Sequence, residues 1–244
     1  MKNDIIKLLN ELRFAGMTAC LERVLATADQ EGHPPVWAIS QLLQEEYRYR
    51  MERRQAYRLS QAKLPWDWTL DTFPFDRQPG VQAHQIRSLA GLDFIKRAQN
   101  LVLIGPPGTG KSGLAIGLLR QALLNGYRAR FFSAQNLVDE LYASLADRST
   151  TKLLNQLAKY DALCIDELGY LTLKPEQVNA FFKLLDQRYG RCSTIITTNL
   201  DYDEWYNLFQ RKSLVDAMLD RLKHHCITIR IDGPSLREPD TPDA

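Results

Sequence analysis

The sequence NLVLIGPPGTGKS, residues 100–112, joins an apolar segment to a glycine-rich loop that fits the pattern G-x-x-x-x-G-K-[ST]. Asn100–Ile104 is predicted to form a buried strand, and Ser112–Asn125 is predicted to form a helix that ends before Gly126. The backbone N–H groups of such a loop surround a phosphate, and the positive end of the following helix strengthens the attraction. A strand, a loop and a helix in this order therefore predict a binding site for a nucleoside triphosphate.

The residues of this loop have separate predicted roles. Lys111 supplies a positive charge for the β- and γ-phosphates, and the hydroxyl of Ser112 is placed to bind Mg²⁺. The sequence contains no Asn-Lys-x-Asp guanine signature, so ATP with Mg²⁺ is the predicted ligand pair. The predicted nucleotide contacts are Gly105, Pro106, Pro107, Gly108, Thr109, Gly110, Lys111, Ser112 and Gly113.

Two acids follow the apolar segment Leu163–Ile165 and form the predicted second half of the site. Asp166 is expected to hold Mg²⁺ through water, and the adjacent Glu167 is expected to orient a water for attack on the γ-phosphate. The segment Ser193–Thr198 leads to Asn199, whose amide could hydrogen-bond that water or the γ-phosphate, or could cap the next turn. Together these groups predict hydrolysis, because a small-molecule kinase activates a substrate hydroxyl and does not need Glu167.

Apolar segments and helical patterns alternate along the chain after Val81. The predicted strands are 100–104, 128–132, 162–165, 193–198 and 227–231, and the predicted helices are 112–125, 134–160 (one or two helices), 175–189 and 213–224. This alternation predicts an α/β fold in which helices cover both faces of a parallel sheet.

The chain before Val81 has a different pattern. Apolar residues recur at helical spacing from Asp4 to Lys63, with one break at Gly32–Pro35, and predict a small all-helical domain. The next segment, LPWDWTLDTFPFDRQPG, holds three prolines and four aromatic residues without a regular period, which predicts an extended connector. The predicted divisions are a helical N-terminal domain (1–63), the connector (64–80), a core domain (81–237) and a disordered tail (238–244).

Composition limits the classes of function. With 45% hydrophobic and 25% charged residues over 244 positions, the chain is expected to be globular and neither disordered nor fibrous. No apolar run reaches the ~20 residues of a membrane span, and charges within the N-terminal apolar pattern argue against a signal peptide. The four widely spaced cysteines are then expected to be reduced thiols of a cytoplasmic protein. A net charge of +2 neither demands nor excludes a nucleic-acid partner.

Several motifs give the chain a resemblance to the AAA+ ATPases, in the branch that holds DnaC-type helicase loaders and IstB-type transposition helpers. The motifs are GPPGTGKS (105–112), CIDELGY (164–170), TTN (197–199), AMLDRLKHH (217–225) and GPSLR (233–237). The resemblance implies a P-loop NTPase fold of the AAA+ type. It also implies that the helical lid is reduced or absent, because the chain after Asn199 is too short for a full one.

The same resemblance implies roles for two arginines. Arg221 stands where the family has an arginine finger, which reaches from one subunit to the nucleotide of the next. Such a finger is worth ~10³–10⁵ in rate, so activity is expected to depend on a homo-oligomer, helical or ring-like. Arg237 stands where the family has a second γ-phosphate sensor, although the usual Ser-Tyr-Arg is Ser-Leu-Arg in this sequence.

Two basic regions are candidates for contact with DNA. Arg50, Arg53 and Arg54 share one face of a predicted helix, which suits phosphate groups. That face could instead be solvated, with arginines paired to nearby glutamates, or could dock a protein partner. The resemblance implies a second candidate, a helical element within 134–160 that touches DNA and carries Arg148 and Lys152.

Three functions are weighed on these observations. The leading hypothesis is an ATP-dependent helper of DNA transposition that oligomerises on duplex DNA, recruits or stimulates a transposase, and hydrolyses ATP to reset. The alternative is a replicative helicase loader that binds single-stranded DNA. A metabolic kinase is the third, and the pair Asp166–Glu167 together with Asn199 argues against it.

Overall fold

The computed structural model describes residues 2–171 and 173–237 and divides into two compact units. The first unit extends to Arg58 and the second begins at Leu59. This division comes slightly before the boundary predicted at Lys63, within the third helix of the chain. The tail predicted to be disordered, 238–244, lies outside the described residues.

The first unit is helical, as the spacing of its apolar residues predicts. Its helices are α1 (Lys2–Glu11), α2 (Ala15–Glu31) and α3 (Pro35–Ala62), the last of which continues into the second unit. A small core of Cys20, Val24 and Ala38 joins α2 to α3. The carboxylate of Glu46 on α3 accepts a hydrogen bond from the backbone N–H of Met17 (3.1 Å). It thereby satisfies a donor that the first turn of a helix leaves free.

The second unit is built on a five-stranded parallel sheet with strand order β2-β3-β4-β1-β5. The strands are β1 (Asn100–Ile104), β2 (Ala129–Ser133), β3 (Ala162–Asp166), β4 (Ser193–Thr198) and β5 (Cys226–Arg230). The helices are α4 (Ala83–Ala90), α5 (Asp93–Lys96), α6 (Lys111–Leu124), α7 (Ala134–Ala146), α8 (Thr150–Leu157), α9 (Pro175–Arg188), α10 (Trp205–Phe209) and α11 (Lys212–His224). Apolar clusters cover both faces of this sheet, so the predicted α/β architecture is confirmed.

The order of the strands determines where a site can form. β1, β3 and β4 are fully buried and adjacent in the sheet, and all point in the same direction. The loops that follow these strands therefore meet at the carboxyl end of the sheet, which is where parallel α/β sheets bind ligands. Within the described residues, the segment 231–237 follows β5.

A buried arginine stabilises the opposite end of the sheet, where the amino ends of β3 and β4 lie. Arg188, the last residue of α9, is 1% exposed, and its guanidinium donates to the carbonyl oxygens of Leu157 (2.8 Å) and Tyr160 (2.9 Å). It also donates to the Ser193 carbonyl (2.5 Å) and to the Thr194 hydroxyl (3.1 Å) at the start of β4. Burial lowers the pKa of Arg188 to about 10, so the side chain remains charged at neutral pH. The amino end of the sheet is thus held rigidly, away from the ligand-binding edge.

Candidate nucleotide-binding site

A cavity of about 570 Å³ lies at the carboxyl ends of β1, β3 and β4. Residues of the glycine-rich loop form one side, and Glu167 and Asn199 form the other. The cavity thus brings together, in one subunit, the three segments that were predicted separately from the sequence.

The described helices include none that is long and apolar enough to cross a membrane.

The loop itself has the backbone that its glycines predict. Gly108 has a φ of 83°, and a Cβ there would overlap the hydroxyl of Ser235. Lys111, the first residue of α6, donates from Nζ to the carbonyl oxygens of Gly105 (2.8 Å) and Pro106 (2.7 Å). Burial lowers the pKa of Lys111, while the nearby carboxylate of Asp166 opposes that shift. The ammonium group is therefore held beside the loop, where a triphosphate would lie.

Ser112 and Asp166 form a pair of oxygen donors suited to Mg²⁺. Burial raises the pKa of the Asp166 carboxyl, and hydrogen bonds from Thr197 and Ser112 act in the opposite direction. The Thr197 hydroxyl donates to Asp166 Oδ1 at 2.5 Å. Mg²⁺ prefers such oxygen ligands, usually one or two carboxylates together with substrate phosphates and water. The donor set therefore fits this ion.

Glu167 is presented to the cavity by an unusual backbone conformation. Its φ is 62°, in the left-handed region, and its backbone N–H donates to the hydroxyl of Thr197 (2.9 Å). Residues held in this region cost about 1–3 kcal/mol and cluster at functional sites. The Thr197 hydroxyl therefore connects β4 to both acids, a role that the sequence analysis did not assign although it quoted the TTN motif.

Asn199 faces the cavity from the end of β4. Its Oδ1 is buried and has no hydrogen-bond partner among the described residues. The same oxygen lies against Gly169, where a Cβ would overlap it, so the turn after Glu167 packs directly on the amide. Buried polar atoms are rarely left without a partner, so this side chain has unused hydrogen-bonding capacity at the place where a ligand would bind.

The connector and the C-terminal segment complete the cavity wall. Trp68 and Phe73 line it from the connector, and Leu236 and Arg237 line it from the segment after β5. The Leu236 N–H donates to the Gly108 carbonyl at 2.8 Å, which holds the segment that carries Arg237 beside the phosphate loop. The role of Arg237 was predicted by resemblance, whereas the place of the connector aromatics in the site was not predicted from the sequence.

Gln78 links these two segments to the loop. It is fully buried, and its Nε2 donates to the carbonyl oxygens of Thr109 (3.2 Å) and Pro234 (3.0 Å). Its Oε1 accepts from the Gly80 N–H at 3.3 Å. One side chain therefore ties the connector, the phosphate loop and the segment that carries Arg237.

Replacing Gln78 by leucine is expected to lower the melting temperature and weaken binding of an ATP analogue. Each carbonyl left unsatisfied costs about 1–3 kcal/mol, and a loss of about 2 kcal/mol lowers the melting temperature of a domain of this size by roughly 4–8 °C. Calorimetry measures both effects. Gln82→Leu is the matched control because Gln82 is exposed in the same part of the chain, and equal results for the two variants would contradict the role of Gln78.

Arg221 is not part of this cavity. It lies on α11, where its Nε pairs with Asp186 (3.1 Å) and its guanidinium lies over the Phe182 ring (5.2 Å). The small cleft around it is also lined by Asn100, the first residue of β1, and Thr194, the second residue of β4. The amino end of a five-residue strand is about 13 Å from its carboxyl end, so Arg221 is remote from the phosphate loop of its own subunit.

The residues predicted to contact DNA are not among those that line the nucleotide cavity. Arg148 is exposed in the turn between α7 and α8 with a φ of 59°, and Lys152 is exposed on α8. Arg50, Arg53 and Arg54 line one cleft of the first unit together with Arg13, which the sequence analysis did not consider. Arg50 pairs with Glu46 (2.6 Å), as the solvated-face alternative expected. Neither Arg53 nor Arg54 has an ion pair among the described residues.

The model of one protein family, described as IstB-like ATP binding protein, matches residues 7–244. The chain belongs to this family. It is 37% identical over 235 residues to an ATP-binding protein of insertion sequence IS21 from Pseudomonas aeruginosa, covering 96% of this chain and 89% of the relative. It is 39% identical over 176 residues to an ATP-binding protein of insertion sequence IS5376 from Geobacillus stearothermophilus, covering 72% and 70% respectively.

Solved structures resemble this chain in fold over about 70% of its length. The DnaC helicase loader matches with a TM-score of 0.58 at 24% identity, covering 70% of this chain and 100% of that one. The replication initiator DnaA, bound to AMPPCP and single-stranded DNA, matches with a TM-score of 0.60 at 19% identity, covering 72% and 53%. The IstB-like chain therefore has the AAA+ P-loop fold that its motifs predicted.

Proposed function

We propose that this protein is a cytoplasmic, ATP-dependent helper of DNA transposition that oligomerises on duplex DNA, recruits or stimulates a transposase, and hydrolyses ATP to reset. The observation that carries the proposal is the cavity itself, which combines a phosphate loop with Glu167 and Asn199 in a member of the IstB-like family. Relatives of this chain are named as ATP-binding proteins of insertion sequences, which points to DNA and a transposase as partners.

Each residue of the cavity has a part in the proposed hydrolysis. Lys111 neutralises charge on the β- and γ-phosphates, while Glu167 orients and polarises the attacking water. Asn199 donates a hydrogen bond from its Nδ2 to that water or to the γ-phosphate. Ser112 and Asp166 would hold Mg²⁺, which supplies charge neutralisation at the phosphates when bound. Arg237 contacts the γ-phosphate from the segment bonded to Gly108.

We propose that Arg221 acts on the nucleotide of a neighbouring subunit. Support comes from its remoteness from the phosphate loop of its own chain and from the partial exposure of its side chain (38%). A head-to-tail arrangement of subunits would bring such a group to the next active site, and such arrangements form rings or helical filaments. ATP binding would then favour the assembly, and hydrolysis would release it.

The experiment that tests the proposal is DNA binding of the pure protein with and without a non-hydrolysable ATP analogue. Random-sequence duplex and single strand are compared by fluorescence anisotropy, and assembly is followed by light scattering. We expect cooperative, analogue-dependent binding that prefers duplex. Preference for single strand would favour the helicase-loader alternative instead. Absence of binding to either would reject the DNA part of the proposal and leave an ATPase with another partner.

A further inference from the structure

The first unit contains a cleft of about 610 Å³ whose lining is dominated by arginine. Arg50, Arg53 and Arg54 come from α3, and Arg13 comes from the turn after α1. Among the described residues that line the cleft, Glu46 supplies the one carboxylate, and it pairs with Arg50. Arg13 is distant from the others in sequence, and the packing of Gly16 and Met17, at the start of α2, against α3 brings the fourth charge to this place.

Glu46 does not neutralise the cleft. Although burial opposes it, hydrogen bonds from Arg50 and from the backbone N–H groups of Met17 and Gly16 hold the pKa of Glu46 below its ordinary value. Glu46 is 5% exposed, and its two carboxylate oxygens accept hydrogen bonds from Arg50 and from the Met17 N–H at the start of α2. It therefore balances the charge of Arg50 alone.

The other three arginines keep an uncompensated charge. Arg13, Arg53 and Arg54 are exposed and form no ion pair with any residue that the structure describes. The guanidinium of Arg53 lies over the Tyr49 ring (5.8 Å), which fixes its plane while leaving its N–H groups available. A fork of N–H donors matches the oxygens of a phosphate, and contact with an aromatic face lowers the entropy that is lost on binding.

We propose that this arginine cleft binds the backbone phosphates of duplex DNA. The inference rests on the proposed function and identifies a surface in the first unit that would contact the DNA. An acidic peptide is a poorer match, because Leu12 and Ala15 are the only aliphatic side chains among the described residues of the cleft. Contacts of this kind supply affinity and position without sequence preference.

The test is the salt dependence of duplex binding by the double variant Arg13→Gln/Arg54→Gln. The matched control is Arg23→Gln/Arg48→Gln, which removes the same charge from two exposed arginines that pair with Glu45 outside the cleft. Binding is measured for the full chain with a non-hydrolysable ATP analogue over a series of salt concentrations. Each lost phosphate contact reduces the magnitude of the negative log–log slope by about 0.9 on duplex DNA, so we expect the slope of the cleft variant to be less negative by about 1.8. The control is expected to keep the wild-type slope.

Other results would overturn the inference in distinguishable ways. If the wild type binds duplex and the cleft variant keeps its slope, the cleft is not a DNA site and the proposed function stands. If the wild type binds no duplex, the cleft inference and the DNA part of the proposed function fail together. If the cleft variant instead loses affinity for a transposase at unchanged slope, the cleft docks a protein. Arg54→Glu provides a second variant if the double variant melts below the wild type.

Discussion

Replacing Glu167 by glutamine is expected to lower ATP turnover by ~10²–10⁴-fold, the usual contribution of a general base. Glutamine keeps the size of the side chain but has no basic carboxylate oxygen to polarise water. ATP binding should change little, because the phosphate loop and Asp166 are untouched and the backbone of residue 167 is held by Thr197. A phosphate-release assay and a nucleotide-binding titration measure the two effects separately.

The same variant should remain on duplex DNA in the presence of ATP, because the assembly cannot reset. Glu140→Gln is the matched control, since Glu140 is exposed on α7 and not part of the cavity lining. The control should turn over ATP at the wild-type rate and dissociate normally. Retained turnover in Glu167→Gln would remove this residue from the mechanism, and lost ATP binding would show that its role is structural.

The strands and the phosphate loop were predictable because their signals are local. Buried strands of a parallel sheet are short apolar runs, so β3 and β4 could be located within a residue of their observed bounds. The loop between β1 and α6 can be recognised from its own glycine, lysine and serine residues. These elements therefore did not depend on knowing the rest of the fold.

The short helices were not predicted, because they lack a local signal of this kind. α5 has four residues and α10 has five, too few to show a helical period in the sequence. α4 has eight residues and buries only Ile86 and Leu89 fully. Their helical state depends on tertiary packing, which a local pattern does not contain.

The supporting residues of the site were also hidden, because their function depends on contacts distant in sequence. Gln78 acts through carbonyl oxygens of residues 109 and 234, and an isolated glutamine in a proline-rich connector has no distinguishing signature. Thr197 acts through the carboxylate of Asp166, at the end of the neighbouring strand, and through the backbone N–H of Glu167, which follows it. Arg13 joins the arginine cleft only after the start of α2 packs against α3. The chemistry of the site was predictable, whereas the side chains that hold it in place required the structure.

Replacing Arg221 by alanine is expected to lower turnover by ~10³–10⁵-fold at unchanged ATP affinity, the range associated with loss of an arginine finger. This expectation rests on the position of the Arg221 guanidinium, which lies beside Asp186 at the amino end of the sheet, away from the phosphate loop of the same chain. Lys212→Ala, at an exposed position on the same helix, should retain the wild-type rate. Turnover that is normal in a dilute monomer would reject the assignment.

A mixing experiment tests whether Arg221 acts between subunits. Arg221→Ala and Glu167→Gln are each expected to be inactive alone, because every interface lacks either the finger or the base. Random mixing in equal amounts creates about a quarter of head-to-tail interfaces that combine an intact Glu167 from one subunit with an intact Arg221 from its neighbour. Activity should therefore reappear in the mixture to a fraction of the wild-type rate. If the mixture stays as inactive as its components although it assembles, Arg221 does not complete the site of an adjacent subunit.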